Sequence, residues 1–270
     1  MKGDFLMSFT AKSILGAIAF KCDGNWNEEF RILKEKIALS DEEVKNFSEK
    51  ISTDYVYLTS GEYPRNFLNC LKCPPIVLFY KGDISLLTNT VGKKYIAIVG
   101  SRNASDYGRR SVGEIVKSLP DESIIVSGLA KGIDRAAHEA ALDHGLKTIA
   151  VLGNGIDYVY PSENKDLYER IVENGGLLLS EYPNLTKPKP DQFVFRNRIV
   201  AAISDFLLIG EAYDRSGSST TVNYALNCGK PVGCIPFPRD SKSLCNKLIK
   251  DGALLVESAS DIMYEIGRKD

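Results

Sequence analysis

A chain of 270 residues, 44% of them hydrophobic and 26% charged, has room for one large domain and a small appendage but not for three domains. Its 34 Lys and Arg against 35 Asp and Glu leave a formal net charge of -1, which excludes a globally basic nucleic-acid binder. Any hold on a polyanion must therefore come from a local cluster of positive charge.

The first 60 residues read as helical. Ile14, Leu15, Ile18 and Ala19 fall at helical spacing, and Phe30, Leu33 and Ile37 repeat it after a break at Gly24 and Asn25. Ser40, Asp41, Glu42 and Glu43 form a capping box ahead of Val44, Phe47 and Ile51. Together they predict a small helical N-terminal domain over 1–60. The apolar run Ile14 to Phe20 falls short of the ~18 to 20 residues of a membrane span and lacks a small-residue cleavage site. With no signal peptide and no membrane segment read, the chain is expected in the cytoplasm, its six cysteines reduced. Residues 55–90 read as an irregular connector with Pro64, Pro74 and Pro75 and one strand candidate, Ile76 to Phe79.

From Lys94 the pattern changes and holds to the end. Apolar, β-branched runs recur at Tyr95 to Val99, Ile124 to Val126, Thr148 to Leu152, Leu177 to Leu179, Phe206 to Ile209, Val232 to Ile235 and Leu254 to Val256. Helix-length segments separate most of them. Strands apolar throughout, alternating with helices, predict an α/β fold: a doubly wound, mostly parallel, Rossmann-like sheet over 61–270.

In such a sheet, ligands sit beyond the carboxyl ends of the strands, where helix N-termini point. The loop after the first run, Gly100-Ser101-Arg102, offers a tight turn, a guanidinium fork and a cap at Ser105. The second, Ser127-Gly128-Leu129-Ala130-Lys131-Gly132, makes an anion cradle without the G-x-x-x-x-G-K-[ST] of an NTPase. The third, Gly153-Asn154-Gly155, is half a dinucleotide fingerprint with no acidic residue at the usual distance, and Asn154 is a candidate contact. After the fifth, Ser216-Gly217-Ser218-Ser219-Thr220-Thr221 opens a helix with more hydroxyls than one cap needs. Ahead of the fifth strand, Arg196-Asn197-Arg198 starts an apolar helix. Guanidiniums at i and i+2 do not share a face, so one is expected at the ligand and the other on a structural carboxylate.

Catalytic and metal signatures are not found. His138 and His144 lie six apart, not at H-E-x-x-H spacing, and Cys70-x-x-Cys73 has no partner pair for a zinc ribbon. No G-x-S-x-G elbow or Ser-His-Asp arrangement is read. No metal site, cofactor or catalytic residue is assigned. Tyr107, Tyr158, Phe193 and Phe195 are near enough the loops to stack bases, although such rings are more often core.

Read together, the loops resemble the DNA-processing protein A (DprA/Smf) family over residues 60–257. The most specific stretch runs from Ser127 to Asp134, through Ala137-His138, Ala141-Leu142, Gly145 and Ile149 to Gly153, and on to Gly155, Asp157, Tyr160-Pro161 and Asn164. Gly100-Ser-Arg102, Tyr107-Gly108, Ser180-Glu181-Tyr-Pro183, Phe195 to Ile199, Glu211-Ala212 and Asn246 to Ala253 join it. The resemblance implies a homodimeric, extended Rossmann fold that binds single-stranded DNA, protects it in natural transformation and helps load the RecA recombinase, without turning over a substrate. It makes Arg102 and Lys131 the phosphate ligands, with Arg196, Asn197 and Arg198 as weaker carry-overs. Leu244 and Cys245 stand where the family usually has a Gly, and the chain ends at Asp270 with no room for a C-terminal winged-helix domain.

Two other readings use the same scaffold. One is an enzyme of the lysine-decarboxylase-like phosphoribohydrolase type, with Glu181 or Glu211 as acid or base; its Pro-Gly-Gly-x-Gly-Thr loop is missing. The other is a small-nucleotide sensor, because a cradle for a nucleotide phosphate and one for a DNA phosphate look alike.

Overall fold

A computed structural model of the chain describes residues 9–213 and 217–268. Three helices open it: α1 (Ala11–Lys21), α2 (Trp26–Lys34) and α3 (Asp41–Ser48). Thr10 and Asn25 cap the first two through their side chains, and Ser40 and Glu43 close the capping box on the third. Between α1 and α2 the chain turns through positive φ at Asp23 and Gly24, 52° and 71°. A Cβ on Gly24 would lie 2.7 Å from the Tyr182 ring and 2.9 Å from the Glu181 carbonyl oxygen. That glycine therefore makes the turn and also lets it sit directly on the core.

The connector holds more structure than its prolines suggest: β1 (Asp54–Tyr57), α4 (Asn66–Cys70), β2 (Val77–Gly82) and α5 (Ser85–Thr88). β1 pairs antiparallel with β2, and β2 antiparallel with β6 (Leu177–Ser180). β1 lies inside the stretch read as helical and carries little sequence signal, since it is four residues long with only Val56 buried.

The rest alternates as expected: β3 (Lys94–Gly100), α6 (Asp106–Lys117), β4 (Ser123–Ser127), α7 (Ile133–Asp143), β5 (Lys147–Leu152), α8 (Lys165–Glu173), β6, α9 (Pro190–Ile203), β7 (Phe206–Glu211), α10 (Ser218–Asn227), β8 (Val232–Cys234), α11 (Leu244–Lys250), β9 (Leu254–Leu255) and α12 (Ala259–Gly267). The sheet order is β1-β2-β6-β5-β4-β3-β7-β8-β9, parallel from β6 to β9. It is a Rossmann-like α/β sheet with two antiparallel strands added at one edge.

One core layer joins Val112, Ile115, Ala137 and Ile262 to the β3 and β4 side chains Ile96, Ile98 and Ile125. The opposite layer joins Ile199 to Ile203 and Ala225 to Ala97, Val99, Val126 and Leu207. Both faces are therefore covered, which is why these strands read as unbroken apolar runs. The chain proceeds outward from β3 to β6, and α9 then carries it back to β7 on the other side of β3. The β3/β7 boundary is thus the topological switch point, where the strand ends leave a crevice. No described helix is long and apolar enough to cross a membrane.

Candidate nucleic-acid interface

The crevice is a cleft of about 460 Å³, walled by Gly100, Ser101 and Arg102 after β3, Gly128 and Ala130 after β4, Phe193 and Asn197 of α9, and Gly217, Ser218 and Thr221 at α10. Its shape follows from close backbone packing. Ser101 N–H donates to the Glu211 carbonyl at 2.7 Å, and Ile133 N–H donates to the Ser101 carbonyl at 3.1 Å. A Cβ on Gly100 would meet both Glu211 and Ile133. Gly132, with φ 77°, has the Ser101 carbonyl in the space a Cβ would need and opens α7. Gly128 is hemmed by Arg196 and Asp134. The loop glycines serve close approach of one loop to another.

Two buried carboxylates hold these loops. Glu211 accepts from Ser105 N–H at 2.9 Å, Ser105 Oγ at 2.8 Å and Tyr213 Oη at 2.8 Å, fixing the start of α6. Asp134 Oδ2 accepts from Gly128 N–H at 3.1 Å and Ala130 N–H at 3.4 Å. Burial pushes the Asp134 carboxyl above its usual range, and the Arg196 charge opposes that rise. Arg196 is itself pulled down to about 10 by burial, with Asp134 again opposing. Its Nη1 donates to the Gly128 carbonyl at 2.8 Å and to the Val151 carbonyl, and its Nε to Asn197 Oδ1 at 3.1 Å. Arg196 lines the cleft floor at only 3% exposure, so its charge reaches the cleft from beneath the Gly128 loop.

Arg102 is exposed and makes no ion pair among the described residues; its guanidinium lies 5.5 Å from the Phe193 ring centroid. It shares a small nook with Lys131, Tyr160, Pro161 and Phe193, where Tyr160 and Phe193 rings lie 5.4 Å apart. The two cations expected as ligands therefore sit on one rim, although from different loops. Lys131 Nζ pairs with Glu163, both half-exposed, a contact of the kind solvent largely screens.

Other candidates lie elsewhere. Arg198 points away from the cleft. It is 2% exposed, binds both Glu181 oxygens at 2.7 and 2.5 Å, donates Nε to the Cys73 carbonyl at 2.9 Å and covers the Phe195 ring at 3.7 Å. It is the guanidinium on the structural carboxylate, and a direct phosphate contact does not fit its burial. Asn154 is also buried, donating to the Gly155 and Tyr158 carbonyls to hold its own loop. Ser127 is buried with its hydroxyl on the Ile98 carbonyl at 2.6 Å. Ser216 lies outside the described residues. Thr221, from the hydroxyl-rich helix start, lines the cleft as well, and so does Tyr213, which no motif singled out and whose place just after β7 is the signal that could have marked it.

Neither acid of the enzyme reading is presented to the cleft, since Glu181 is spent on Arg198 and Glu211 on Ser105 and Tyr213. His138 is fully buried against Thr148 Oγ1 at 2.7 Å, and burial drops it to about 3, so it stays neutral. Among the described residues no group of His, Cys, Asp and Glu is placed to hold a metal.

Comparison with known proteins supports one family. The model of DNA recombination-mediator protein A matches residues 54–267. The DNA processing protein DprA of Streptococcus pneumoniae is 44% identical over 193 residues, 71% of this chain and 67% of that one. The Bacillus subtilis DprA is 37% identical over 218 residues, 79% of this chain and 71% of its own. The crystal structure of the S. pneumoniae protein aligns with TM-score 0.77 at 34% identity, covering 96% of this chain and 94% of that one. A Helicobacter pylori DprA structure, described for its single-stranded DNA binding mode, aligns with TM-score 0.69 at 29% identity over 81% and 98% of the two chains. The loop sequence, the switch-point cleft and these matches agree: the chain belongs to the DNA recombination-mediator protein A family.

Proposed function

We propose that the protein binds single-stranded DNA in the switch-point cleft, with Arg102 and Lys131 on backbone phosphates and Phe193 and Tyr160 against bases. The observation that carries this reading is a guanidinium without an ion-pair partner among the described residues and a weakly paired ammonium on one rim, beside glycine loops and the start of α10 at Gly217 and Ser218. A neutral molecule with such a rim binds through local charge. The H. pylori relative's described strand binding supports the same reading. In this proposal the protein is a cytoplasmic homodimer that protects incoming strands and assists loading of a RecA-type recombinase, and it performs no turnover. In the same proposal residues 1–60, helical except for β1, are an appended unit and 61–270 the binding domain.

The test is a titration of oligo-dT and of duplex at two salt concentrations. Affinity for oligo-dT should exceed that for duplex and fall steeply with salt, with each neutralised phosphate adding about 0.7 to the log–log slope. Arg102→Ala should weaken binding to every sequence alike. Equal affinity of parent and variant at low salt would refute the assignment.

A further inference from the structure

The opposite end of the sheet holds a second cavity, of about 470 Å³, at the starts of β3 and β7 rather than their ends. Three cations reach it from separate segments: Arg65 ahead of α4, Lys93 ahead of β3 and Lys230 ahead of β8. None of the three makes an ion pair among the described residues; Lys93 Nζ is steadied by the Ser85 carbonyl at 3.1 Å.

The features that would repel an anion here are partly engaged. α9 ends at the cavity, and a helix C-terminus is negative. Its Ala201 carbonyl accepts from Ser204 Oγ at 2.9 Å and its Ala202 carbonyl from Asn66 Nδ2 at 3.0 Å. Two carboxylates, Glu62 and Asp205, also line the space, and Asp205 Oδ2 accepts the Tyr95 N–H at 2.9 Å. The floor is apolar. Tyr63 and Tyr95 are buried there with their hydroxyls turned to the Pro75 and Leu86 carbonyls, so they offer ring surface and no polar group. The lining thus sets three positive charges against two carboxylates, with the exposed hydroxyls of Thr88 and Thr90 beside them.

We propose that this cavity is a second, separate site for a phosphate monoester of nucleotide size, its phosphate among Arg65, Lys93 and Lys230 and its organic part on the apolar floor. The volume falls in the ordinary range for small-ligand sites, about 300 to 1,000 Å³. The proposal does not rest on the strand-binding reading of the cleft.

Full-length Arg102→Ala protein, with the upper cleft weakened, is titrated calorimetrically with inorganic phosphate and with dTMP, alongside the same protein carrying Lys93→Glu and Lys230→Glu. One saturable site per chain is expected, weakened at least about tenfold by the double reversal, while the reversal in an otherwise unaltered chain leaves oligo-dT affinity unchanged. Tighter binding of dTMP than of phosphate is expected, since the floor holds the organic part, and equal affinity overturns that placement. No saturable binding, or binding indifferent to the reversal, overturns the proposal. So does loss of oligo-dT affinity in the reversed chain, which would make the cavity part of the strand's path. Unchanged circular dichroism and melting of the reversed variant keep misfolding out of the result.

Discussion

Glu29 of α2 should make the stability of this protein fall as pH rises, and Glu29→Gln should remove that fall. The carboxyl is 3% exposed, and its Oε1 has no hydrogen-bond partner among the described residues. Burial, and then the like charge of Glu181, push it from 4.5 to about 8, with Arg198 only partly opposing. Arg198 is already committed to both oxygens of Glu181, so one guanidinium faces two carboxyls. A carboxyl whose native pKa lies above its unfolded value binds a proton on folding. Its stabilisation is whole below about 4.5 and is lost as pH rises through about 8. The gap, at about 1.4 kcal/mol per pH unit, amounts to roughly 5 kcal/mol, an upper figure because α2 can lift locally before the whole chain unfolds. The assay is urea unfolding of parent and Glu29→Gln at pH 5, 7 and 9. The difference between the two cancels every other titrating group. The variant should gain on the parent by several kcal/mol between pH 5 and 9, and a constant difference across that range would refute the reasoning.

Further outcomes follow from the same geometry. Arg198→Ala leaves Glu181 buried without its partner and should cost about 3 to 5 kcal/mol in denaturant unfolding, whereas Arg198→Met with Glu181→Gln should cost much less. Arg196→Met should weaken oligo-dT binding by loosening the Gly128 loop while leaving the salt slope intact, in contrast to Arg102→Ala, which should lower it by about 0.7. A slope change in Arg196→Met would instead mark it as a direct phosphate ligand. Glu163→Gln frees Lys131 from its surface partner and should tighten oligo-dT binding by a few fold at low salt, an effect that vanishes in Lys131→Ala, as filter binding can show.

The parallel sheet was legible because each of its strands is buried on both faces and so reads as an apolar run. The capping box at Ser40 was legible for a local reason, since both of its bonds lie within four residues. β1, α4 and α5 were not. They are four or five residues long, and pairing with β2 for β1, packing on α9 for α4 and burial of Leu86 and Leu87 in the core for α5 fix them more than their own composition does. In the cleft, Arg102 and Lys131 could be read from loop position alone, because strand ends and helix starts place them. The division of labour between Arg196 and Arg198 could be expected only in outline. Their spacing says that they diverge, but which one meets Glu181 depends on a carboxylate 17 positions away. Asn154 and Ser127 misled for a related reason: a polar residue after a strand looks the same in sequence whether it faces a ligand or ties its own loop to the neighbouring strand.

The two arginines leave α9 in opposite directions from nearly the same point, one gripping the Gly128 loop and the other the carboxylate of Glu181, whose backbone carbonyl packs on the Gly24 turn. A displacement of that helix turn cannot loosen one grip without straining the other. The amino-terminal helices and the strand-end crevice are therefore braced against a common post. Trimming the chain back to residue 54 would lay that post open to water from behind, and the crevice would lose its stiffness before it lost any residue that lines it.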